Sequence, residues 1–178
     1  MKQIRRSVFE TNSSSMHSLT VKGDFNYDNS LSAFIGYDNY LHITFGQFGW
    51  EWEEYNDAYT KLQYLLTFIA EKFPYEELNI WCCEEPLDMD EIYDKFKTRD
   101  DFNELNDLIK SELHCNGIWL DEGEGYIDHQ SHEDYASIKD LLNHYGISSM
   151  KDFIFDSNVT LRTGNDNEPY GYDGRWGY

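Results

Sequence analysis

The chain has 178 residues, enough for one compact domain with a core and too few to argue for two. Apolar residues make up 40% and aromatic residues 17%, a composition that folds rather than stays disordered. Thirty-four acids against fourteen bases give a formal net charge of −20, which repels nucleic-acid phosphates and anionic membranes alike.

Residues 3–11, QIRRSVFET, and 17–23, HSLTVKG, read as two strands of a hairpin joined by the turn-forming Asn-Ser-Ser-Ser segment. The Asn/Asp-rich DFNYDNSLSAF that follows reads as loop. Residues 39–46, NYLHITFG, are β-branched and aromatic and predict a strand, with Gly46 and Gly49 marking a turn. From Glu53 to Phe73 the period becomes helical, with Tyr55, Tyr59, Leu62, Leu65, Leu66, Ile69 and Phe73 on one face and Pro74 as the stop. LNIWCC, 78–83, reads as a short buried strand.

Residues 88–114 predict two helices broken near Thr98, Arg99 and Asp100, with Asp100 as the cap of the second. Residues 117–129 read as two short strands around a Gly-Glu-Gly turn, and 132–146 as a helix stopped at Gly146. SSMKDFIF opens another helix capped by Ser148, 157–164 is a late strand, and 165–178 is an irregular Gly/Asn/Tyr-rich tail. The expected architecture is a single α+β domain over residues 1–178, a mixed or antiparallel sheet packed with three to five helices.

Charge is unevenly distributed. Residues 1–22 hold Lys2, Arg5, Arg6 and Lys22 against Glu10 alone, whereas residues 84–134 hold seventeen acids and four bases. Direct nucleic-acid binding is therefore expected only through the basic N-terminus. The acidic stretch predicts a basic protein surface as partner, such as the nucleic-acid channel of a nuclease, with Asp100, Asp101, Glu104 and Asp107 as contact residues. A solvated helix face has the same composition. The three cysteines form no paired framework and the start of the chain lacks the apolar core of a signal peptide, which predicts a cytoplasmic protein with reduced thiols.

Three polar clusters carry chemistry. In RRSVFETNSSSMHSLT, residues 5–20, Ser13, Ser14 or Ser15 lies close in sequence to His17, and a nucleophilic serine needs such a base within hydrogen-bond reach. No Gly-x-Ser-x-Gly elbow accompanies them, and a turn whose side chains bond their own backbone accounts for the same residues. In YIDHQSHED, 126–134, Asp128 and His129 sit at a strand-to-loop junction, and the His-x-x-His spacing lacks the internal Glu of known zinc helices. In LRTGNDNEP, 161–169, Arg162 with Asn165, Asp166 and Asn167 offers an anion contact or a turn, and no Ca²⁺ loop fits. Ser15, His17, Asp128 and His129 are the catalytic candidates. Arg6, Asn12, Ser13, Ser14, Gln130, Arg162, Asn165, Asp166 and Asn167 are the ligand-binding candidates, and neither a cofactor nor a metal is called for.

RRSVFETNSSSMHSL, taken with GYIDHQS and RTGNDN, resembles a family of small uncharacterised proteins from phages and mobile elements of Gram-positive bacteria. The resemblance covers about thirty residues and groups the three clusters together. It implies a phage context in a bacterial host cell, where small acidic proteins inhibit host defences such as CRISPR nucleases. The leading expectation is a non-enzymatic anti-CRISPR type inhibitor acting by nucleic-acid charge mimicry. The alternatives are a hydrolase or nucleotide-processing enzyme built on the Ser/His motif with Asp128-His129, and a small-ligand binding module.

Overall fold

The computed structural model describes residues 18–49, 53–74, 77–78, 80, 88–128 and 135–164. In chain order the elements are β1 (Ser18–Val21), a 3-10 turn (Ser30–Phe34), β2 (Leu41–Ile43), β3 (Gln47–Phe48), β4 (Glu53–Tyr55) and α1 (Ala58–Ala70). Then come α2 (Met89–Phe96), α3 (Asp100–Leu113), β5 (Ile118–Leu120), β6 (Tyr126–Ile127), α4 (Ile138–Tyr145), α5 (Met150–Phe155) and β7 (Val159–Thr163). The fold is α+β, with five helices and both parallel and antiparallel strand pairs among the described residues.

β7 is the centre of a three-stranded antiparallel sheet in the order β1-β7-β4. Its residues alternate buried and half-buried, the period-2 pattern that its Val-Thr-Leu-Arg-Thr sequence dictates. Two parallel pairs, β2 with β5 and β3 with β6, complete the β structure. Each is closed by a crossover that includes α1, α2 and α3, as parallel pairing requires.

α1 lies at the heart of the molecule. Its sequence AYTKLQYLLTFIA is apolar nearly all round, and Leu62, Leu65, Leu66, Phe68 and Ile69 are all buried. Such a helix needs cover on every side, and α1 packs against α3, α4, α5, β3, β6 and the 3-10 turn. The helix begins at Ala58 because the Asp57 carboxylate accepts the N–H of Thr60 at 2.8 Å. Glu53–Tyr55, expected as its first turn, is instead β4, hydrogen-bonded to β7.

Other expectations shift by smaller steps. The second acidic helix starts at Asp100 with Arg99, not Asp100, as its N-cap residue. Ser149 rather than Ser148 caps α5, its hydroxyl accepting the N–H of Asp152 at 3.1 Å. Gly146 does end α4, at φ +70°, the left-handed geometry that a glycine adopts without cost. The turn expected between Gly46 and Gly49 holds β3, and β5 and β6 pair with separate partners rather than with each other. The first strand of the expected N-terminal hairpin, most of the strand expected at 78–83 and the tail 165–178 lie outside the described residues. No helix among the described residues is long and apolar enough to cross a membrane.

Candidate functional site

The acidic helices form the first surface. α2 buries Ile92 and Phe96, and α3 buries Phe102, Leu105 and Ile109, which turns their remaining faces to solvent. Asp100, Glu104 and Asp107 recur at i, i+4 and i+7, so they form one exposed stripe with steps of about 6 Å and about 4.5 Å along the axis. Asp101 differs, because its side chain is only 16% exposed and meets Arg99 at 3.4 Å. Asp107 is paired with Lys110 at 3.1 Å, Asp94 with Lys97 at 3.0 Å and Glu91 with Lys95 at 2.6 Å. These short-range pairs on a wet surface hold their partners weakly. Asp90, Asp100 and Glu104 carry no ion pair among the described residues.

Beside α2 lies a second surface, which sequence reasoning missed. The parallel register sets His42 of β2 directly opposite Trp119 of β5, and both side chains point outward while Leu41, Ile43, Ile118 and Leu120 point in. His42 Nδ1 lies 3.0 Å from Asp121 and Nε2 lies 3.1 Å from Asp38. The hydrogen bond to Asp121, joined by that to Asp38 and by both negative charges, outweighs the opposing effect of partial burial and raises the His42 pKa above the usual imidazole value. The Asp38 carboxyl is held low, by the N–H of Tyr40 first and then by His42. Around Trp119 stand Tyr40, with its ring centroid at 6.0 Å, and Tyr93 of α2 at 6.1 Å. Lys97 lies over the Tyr93 ring at 4.3 Å. The sequence signal was a histidine at an outward position of a strand, but its two carboxylates come from separate segments, and Asp121 is 79 residues away along the chain.

Asp128 and Arg162 are the motif residues that the structure describes. Asp128 follows β6 directly, its N–H donating to the Phe48 carbonyl at 2.9 Å. Gly49 has φ +100°, and a Cβ there would stand 2.8 Å from the Asp128 Cβ, so this approach requires glycine. Arg162 on β7 lies with its Nε 2.7 Å from the Glu54 carboxylate of β4, an ion pair across the sheet that lacks hydrogen-bond geometry at this nitrogen. β1 begins at Ser18, opposite Arg162. Phe48, beside Asp128, stands edge-on to Tyr55 of β4 at 5.7 Å, so β6 ends close to the three-stranded sheet. Arg6, Asn12, Ser13, Ser14, Ser15, His17, His129, Gln130, Asn165, Asp166 and Asn167 lie outside the described residues.

Among the described residues no group of three or more His, Cys, Asp or Glu side chains is disposed to hold a metal ion. The two carboxylates at His42 sit on opposite ring nitrogens, which is a clamp rather than a chelate. Cys115 is a buried free thiol whose Sγ lies 3.7 Å from the Gly117 carbonyl oxygen. No protein-family model, no curated protein and no solved structure matches this chain.

Proposed function

We propose that this chain is an acidic inhibitor that binds a basic, nucleic-acid-binding surface of a host nuclease, acting by protein contact and charge mimicry. The single observation that carries the reading is the exposed stripe of Asp100, Glu104 and Asp107 on α3, in a chain of net charge −20. Carboxylates regularly spaced along a rigid helix offer a cationic channel what phosphates would offer it. The phage setting and the anti-CRISPR assignment rest on the resemblance of the N-terminal motif.

Purified effector nucleases incubated with the protein before addition of target DNA test this reading. Inhibition of cleavage, lost on combined reversal of Asp100, Glu104 and Asp107 to lysine, supports it. Unchanged inhibition by the reversed variant contradicts charge mimicry.

A second reading is a ligand-binding or hydrolytic centre around Ser15, His17 and Asp128-His129. It is favoured by the register that sets Ser18, the residue after His17, opposite Arg162. Melting curves with nucleotides and with divalent metals test it, since a ligand of the folded state raises stability by mass action.

A further inference from the structure

Trp119 is 39% exposed at the centre of a two-stranded face. The rings around it stand at different angles, Tyr40 at 65° and Tyr93 at 35° to the indole, so they make a cup rather than a flat stack. Asp38 and Asp121 border the cup with side chains 49% and 42% exposed. We propose that this face of the β2–β5 pair seats an arginine side chain of a basic partner segment. The inference rests on the preceding reading, in which the partner is a basic protein, and adds the contact that anchors it.

Ring chemistry and charge select the occupant. Aromatic faces attract cations, and the molecule already uses one ring of the cup this way, with its own Lys97 over Tyr93. Two carboxylates at the rim and a net charge of −20 disfavour a phosphate, a nucleic acid or an anionic lipid, with His42 and Lys97 offsetting part of that charge locally. Arginine fits better than lysine, because its planar guanidinium stacks on an indole while its edge donates to a carboxylate. His42 faces both oxygens of each carboxylate, at 3.0 and 3.3 Å in Asp121 and at 3.2 and 3.1 Å in Asp38, and Asp38 Oδ1 also accepts the Tyr40 N–H. A carboxylate has about four acceptor positions, so the edge donates a single hydrogen bond to an outer lone pair rather than a paired fork. The cup adjoins the acidic helices through Tyr93, and Asp90 lies one turn before Tyr93 on α2. A basic segment lying along α2 therefore passes over Trp119.

Calorimetric titration of the whole protein with a short arginine-rich peptide tests the seat, with the same peptide carrying citrulline as the neutral control. Binding of the arginine peptide alone is expected, with Trp119→Ala weakening it about tenfold and Trp119→Phe retaining most of it. Equal binding of the citrulline peptide overturns the proposal, as does Trp119-dependent self-association of the protein in place of peptide binding. Loss of binding on Asp100→Lys with Glu104→Lys, but not on Trp119→Ala, overturns the seat and leaves the acidic-helix reading standing. The opposite result keeps the seat and removes that reading. Should Trp119→Ala fail to fold, the indole N–H resonance of Trp119 in the unaltered protein gives the answer: a shift on adding the arginine peptide supports the seat, and no shift overturns it.

Discussion

Lys61 is fully buried in the centre of α1, with Nζ donating to the carbonyls of Asp156 at 2.8 Å and Val159 at 3.3 Å. Burial pushes its pKa down to about 8, and the charges of Asp28, Asp156 and Asp57 only partly restore it. The folded chain thus holds this proton less tightly than the unfolded chain, so stability rises with pH between the two values. Urea melts from pH 8 to about pH 9, below the range where tyrosines with raised pKa values begin to oppose the trend, should show a gain of at most about 1 kcal/mol. Lys61→Met should abolish that gain, and an equal gain in the variant would assign it elsewhere. The sign is opposite at His42. Its raised pKa means that the Asp38–His42–Asp121 clamp contributes fully below pH 6.5 and is lost as pH rises through the folded value. The His42 ring resonances should titrate above 6.5, and Asp121→Asn should move the midpoint down, because the hydrogen bond to Asp121 is the largest cause of the rise.

At the scale of elements, the caps carry the local code. Ser137 and Ser149 each accept an N–H three residues on at 3.1 Å, from Asp140 and Asp152. Their replacement by alanine should cost about 1 kcal/mol each in a denaturant melt, additively if the sites are independent. Losses below a few tenths would show that tertiary packing alone fixes α4 and α5. Caps also explain where the sequence was legible. Helical spacing and Gly146 disclosed α4, and the break between α2 and α3 was visible at Thr98 to Asp100. The start of α1 was misread because Tyr55 and Tyr59 continue the apolar spacing across Asp57, and only the pairing of Glu53–Tyr55 with β7 separates strand from helix. β3 escaped for the same reason: two residues between glycines have no period, and the parallel partner β6 is remote in sequence.

For the whole molecule, charge was legible and convergence was not. Counting residues located the acidic stretch, and the α3 spacing put Asp100, Glu104 and Asp107 on one exposed stripe, although Asp101 turned aside to Arg99. The His42–Trp119 face was invisible because it exists only once β2 and β5 are in register. An acidic surface that binds a basic channel must do so electrostatically, with an affinity that falls as salt screens the charges. The most direct measurement is the dissociation constant for an inhibited nuclease between about 50 mM and about 200 mM salt, for the native chain and for the Asp100, Glu104 and Asp107 reversal. A charge-mimicking chain loses affinity steeply with salt, and the reversed chain binds little. Equal affinity at both salt concentrations and in both proteins would contradict charge mimicry.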